Sequence, residues 1–107
     1  MPTPLQKAAE QLDQAVYYLA IGQDEIRGRL RLAGPELLRV PTTDLDPEIK
    51  EDFEAVIHDL TWKGVRDGCE SPLASTLFGM RKAKAMEIAK RIWALRRLAR
   101  ELAYGDS

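Results

Sequence analysis

Between Ala85 and Leu102 the apolar residues Ala85, Ile88, Ile92, Leu95, Ala99 and Leu102 recur at alternating spacings of three and four. That is the period of one helical stripe, held here for about five turns, and such a stripe is hidden only by packing against another element. Nowhere does the chain alternate apolar and polar residues with period two over a useful length, so the expected partners are other helices and not a sheet.

The same period returns three times. Leu5, Ala8, Leu12, Ala15 and Leu19 predict a first helix that stops at Gly22, and Ile26, Leu30, Ala33, Leu37 and Val40 predict a second. Only a short turn separates the two, so they should form an antiparallel hairpin. Gly34-Pro35 falls inside the second stripe without breaking its phase, which predicts a kink and not a stop. Pro41 to Asp46 reads as a loop, and Ile49, Phe53, Val56 and Leu60 predict a third helix from about Pro47 to Lys63.

Thr3-Pro4, Asp46-Pro47 and Ser71-Pro72 each place a capping side chain before a proline. Proline suits the first helical position because its missing N–H would be unpaired there anyway, while Thr, Asp and Ser accept from free N–H groups. Gln6, three residues after Thr3, completes a capping box. Ser71-Pro72 opens a short helix over Leu73 to Phe78, and the last helix is expected from about Met80 to Ala103. The 107 residues therefore predict one domain over 1–107, all-α, an antiparallel bundle of four main helices plus one short helix.

Several chemistries find no support. Cys69 is the only cysteine, which excludes an intramolecular disulfide and a zinc site built on cysteines, and the simplest expectation is a reducing, cytoplasmic setting. No apolar run approaches the ~20 residues needed to span a bilayer, so no membrane partner is expected. His58 is the only histidine and hence the only imidazole base for a nucleophile. The acidic neighbours Asp67 and Glu70 would oppose a thiolate at Cys69, leaving an inert thiol as the simpler reading. Glu54 and His58, one turn apart, have the spacing of two metal ligands, but the sequence offers no second such unit. Gly64 to Gly68 and Gly79 to Lys82 match no phosphate-binding glycine loop. The expectation is a protein without enzymatic activity, cofactor or metal, with an enzyme or metal protein centred on Glu54 and His58 as the weakest alternative.

Charge is segregated far more strongly than its total suggests. Asp44, Asp46, Glu48, Glu51, Asp52, Glu54 and Asp59 are accompanied only by Lys50, a net of −6, whereas the whole chain carries −1. Arg81, Lys82, Lys84, Lys90, Arg91, Arg96, Arg97 and Arg100 are accompanied by Glu87 and Glu101, a net of +6. Three uses compete. The two helices could be neighbours whose charges pair along a seam. The basic helix could contact nucleic acid through Arg91, Arg96, Arg97 and Arg100, helped by Arg27 and Arg31 of the second helix. Or the faces could meet another protein or a second copy of this one.

Trp62 lies one turn beyond His58 on the side away from the Ile49-Phe53-Val56-Leu60 stripe. An uncovered tryptophan with a polar rim has the composition of an interface anchor, unless the following loop folds over it. Glu54, His58 and Trp62 are accordingly the candidate protein-interface residues. The leading expectation is a small interaction or regulatory protein acting through helix faces, oligomeric or bound to a protein partner; the alternative is a nucleic-acid-binding accessory protein using the last helix.

Overall fold

The computed structural model describes residues 3–22, 25–65 and 68–105; Met1, Pro2, Gln23, Asp24, Arg66, Asp67, Asp106, Ser107 and the side chain of Asp44 lie outside it. Its elements are α1 (Pro4–Ile21), α2 (Ile26–Leu38), a 3-10 turn (Thr42–Asp44), α3 (Pro47–Thr61), α4 (Pro72–Phe78) and α5 (Lys82–Tyr104). The architecture is all-α, four main helices packed on one another with a shorter fifth. No helix among the described residues is long and apolar enough to cross a membrane.

Pro4, Pro47 and Pro72 each open a helix. Thr3 accepts from the Gln6 N–H at 3.1 Å while Gln6 Oε1 accepts from the Thr3 N–H, the reciprocal capping box. Asp46 accepts from the Glu48 N–H and Ser71 from the Ala74 N–H. Such caps satisfy N–H groups that have no partner within the helix, typically stabilising it by ~1 kcal/mol each.

Burial follows the predicted stripes. Leu12, Leu30, Leu37, Ile49, Phe53, Leu60, Ile88 and Ile92 are fully buried, and Leu5, Ile26 and Leu102 lie half-buried at the core margin. Among the described residues the fully buried polar side chains are those of Ser75 and Thr76 on α4, which donate to the Gly64 and Pro72 carbonyls, both at 2.8 Å. α2 runs through Gly34 and Pro35 as one helix. Gly34 is needed for contact more than for bending: a β-carbon there would stand 2.4 Å from Leu73 Cδ2, so only glycine lets α4 approach this closely. The loop expected over Pro41 to Asp46 contains the 3-10 turn, and α5 begins two residues later than the sequence predicts.

Chain direction follows from contacts at the ends. Arg29 of α2 reaches the Leu19 carbonyl near the end of α1, closing the α1–α2 hairpin. Arg27 donates to the Met80 carbonyl, placing the start of α2 beside the start of α5. Asp59, near the end of α3, meets Lys84 and Arg91 in the first half of α5. Hence α5 is antiparallel to both α1 and α3, with α1 and α3 on its two flanks and α2 behind.

Candidate docking surface

The helical period turns Ile49, Phe53, Val56 and Leu60 inward, and with them it turns Glu51, Glu54, His58 and Trp62 outward. Trp62 ends α3 and is 60% exposed. The chain beyond it does not cover the ring, for a specific reason. The Lys63 N–H donates to Thr76 Oγ1 at 3.2 Å and the Gly64 carbonyl accepts from Ser75, so two buried hydroxyls pull the connection onto α4. Lys63 Nζ stands 5.3 Å from the centre of the Trp62 ring, a cation held over an aromatic face. A hollow of about 300 Å³ beside it is bounded by Trp62, Met80, Arg81 and Lys84.

The arginines proposed for nucleic acid are mostly committed elsewhere. Arg27 pairs with Glu25 at 2.6 Å, Arg31 with Glu70, and Arg91 with Asp59 at 2.7 Å. Arg96 and Arg100 grip the two oxygens of Asp13 on α1 at 2.8 and 2.7 Å. Arg97 is the most exposed of the six: its side chain is 83% exposed, and its carboxylate, Glu101, lies one turn along the same helix at 3.6 Å. Hydrogen bonding to Arg91, with Lys84 adding its field, holds the Asp59 carboxyl below its ordinary range against the opposing effect of burial.

The acidic and basic helices are thus neighbours, but the seam between them is held only in part by charge. Asp59 faces α5 and is paired. Glu51, Asp52 and Glu54 make no ion pair among the described residues. Nor does Lys90 on α5. Among the described residues no group of three or more His, Cys, Asp or Glu is arranged to hold a metal ion, and Glu54 and His58 sit on an open face.

α5 carries a second stripe that the sequence reading did not single out. Met86, Lys90, Trp93, Arg97, Arg100 and Tyr104 are exposed and recur at four, three, four, three and four. Trp93 is 45% exposed, and Arg100 lies over the Tyr104 ring at 5.4 Å. The signal was present as spacing, but the stripe mixes cations with aromatics and so registers on no hydrophobic pattern.

Fold and surface define a class: an all-α protein of antiparallel helices with two outward faces, one acidic and one cationic, each bearing a tryptophan. The chain matches no family model, and neither a curated protein nor a solved structure is significantly similar to it.

Proposed function

We propose that this chain is a small, non-enzymatic interaction protein of the cytoplasm that docks a protein partner through the outward face of α3, with Trp62 as anchor and Glu54 and His58 on its rim. The observation that carries the reading is the exposure of Trp62 together with its cause. Two buried hydroxyls of α4 draw the following segment away, so the ring is held open by the fold itself. Leaving an indole in water forgoes roughly 2–3 kcal/mol of burial, which a partner surface would recover. A single cysteine and the absence of any disulfide support a reducing compartment.

The second reading, a nucleic-acid-binding accessory protein using α5, draws on Lys90 and Arg97, the cations of its exposed stripe without a carboxylate partner on another element. It is the weaker one because each of its six arginines already has a carboxylate at ion-pair distance.

A photoreactive residue in place of Trp62 tests the first reading in cells. The expected result is a discrete adduct with a protein, lost when Glu54 is changed to Lys, and no adduct from the same residue placed at Arg39, just past the end of α2. Adducts with nucleic acid alone, or none, would overturn it.

A further inference from the structure

We propose that the partner is a second copy of this chain, bound across a two-fold axis that runs parallel to the helices, so that the cationic stripe of α5 in each copy lies on the acidic face of α3 in the other. This rests on the reading of α3 as a docking face and names its occupant.

Three observations converge. The first is charge: among the described residues Glu51, Asp52 and Glu54 on α3 and Lys90 and Arg97 on α5 have no ion-pair partner on another element. A surface that carries both signs on adjacent helices complements itself. The second is spacing. Glu51, Ala55, His58 and Trp62 recur at four, three and four, matching Met86, Lys90, Trp93 and Arg97 in the other direction.

The third is height along the bundle, and it fixes the register. Within one molecule Asp59 pairs with both Lys84 and Arg91, so it is level with the α5 turn between them. Asp52 shares a hollow of about 270 Å³ with Arg91, Ala94, Leu95 and Leu98, so it is level with Ala94 and Leu95. A two-fold axis parallel to the helices leaves every residue at its own height. It also keeps α5 of the second copy antiparallel to α3 of the first, as in the monomer. Symmetry and spacing together set Glu51 beside Arg97, Ala55 beside Trp93, His58 beside Lys90 and Trp62 beside Met86 of the other copy, to within about two residues or ~3 Å. A small side chain meets a large one, a carboxylate meets a guanidinium, and an indole meets a thioether.

α5 packs on α2 and α3 on α4, and the two-fold axis makes the contact between their exposed faces twice. Stable dimers bury about 800 Å² per partner, about an eighth of the 6668 Å² surface here, which two helix faces can supply.

Sedimentation equilibrium across a range of concentration and salt provides the test. The parent should form a dimer of twice 12.1 kDa that dissociates as salt rises. Glu51→Lys with Glu54→Lys should give a monomer, as should Lys90→Glu with Arg97→Glu, both with the unfolding midpoint that the parent shows when dilute enough to be monomeric. Mixed in equal amounts, the two variants should form a heterodimer, since each reversed face then meets an opposite one at both contacts. Trp93→Ala should weaken the parent dimer by about thirtyfold or more. A parent that stays monomeric at high concentration, variants that dimerise unchanged, or a mixture that stays monomeric would overturn the proposal. So would salt-sensitive binding of an oligonucleotide by a monomeric parent. A protein adduct at position 62 together with a monomeric parent would leave the α3 docking face standing and remove only the second copy as its occupant.

Discussion

The two flanks of α5 are built differently. Toward α1, Asp13 takes both Arg96 and Arg100, one carboxylate bridging successive turns, and the charge of that flank is consumed inside the molecule. Toward α3, among the described residues, Asp59 alone forms ion pairs with α5, through Arg91 and Lys84, while Glu51 and Glu54 look outward. The reason is phase. A residue seven positions before Asp59 returns to nearly the same side, so Asp52 also borders α5, whereas Glu51, Glu54 and His58 are turned away by the period that buries Phe53 and Val56. An acidic helix beside a basic one is therefore not evidence that their charges have cancelled.

The largest expected effect is at the apolar floor both flanks share. Leu95 is buried and borders the α3–α5 hollow. Leu95→Asp places an unpaired charge there, a change expected to cost more than ~4 kcal/mol and to leave the chain unfolded by circular dichroism and thermal melting. A folded Leu95→Asp protein would mean that the α3 flank is loose enough to admit water, and the contrast between the flanks would become one of packing and not of charge.

The contrast itself is sharpened by comparing Asp13→Ala with Glu54→Ala. The first strands two arginines that are 35% and 44% exposed, so the expected loss is about 0.5–1 kcal/mol. The second removes a carboxylate that no basic side chain answers among the described residues, and its effect on the unfolding midpoint should fall within ~0.5 kcal/mol of zero. Equal losses would show that Glu54 has a partner within the fold.

Much of the fold was legible because its signals are local. Thr3, Asp46 and Ser71 cap the helices their prolines open, and the three-four stripes are the buried ones. The start of α5 was misplaced by two residues because Arg81 occupies the cap and its side chain bonds nothing there, so no capping chemistry marks the boundary. Trp62 was legible as outward by phase, but its exposure depends on Ser75 and Thr76, more than ten residues away, holding Gly64 and Lys63. Distance hid the rest. The use of Arg96 and Arg100 is decided by Asp13, over eighty positions earlier, and only once those two are accounted for do Lys90, Trp93 and Arg97 stand out as a separate face.

The smallest expected effect is a pH dependence confined to the α3 flank. The Asp59 carboxyl is held below its ordinary range chiefly by the hydrogen bond from Arg91, so the unfolded chain takes up its proton at a higher pH than the folded one. Where the unfolded state binds more protons, stability rises with pH. The contribution of Asp59 is thus fully present above the unfolded value near 3.8 and disappears as pH falls through the lower folded value. Its side chain is 28% exposed, and solvent screening limits the expected size to about 0.5–1 kcal/mol. Asp59→Asn should be less stable than the parent by that amount, evenly, at every pH above about 5, with the two melting curves converging on further acidification. Subtracting one protein's profile from the other's isolates this carboxyl from those that titrate alongside it. A difference that persists unchanged below pH 3 would mean that Asp59 acts through packing, and that the α3 flank of α5 owes nothing to charge.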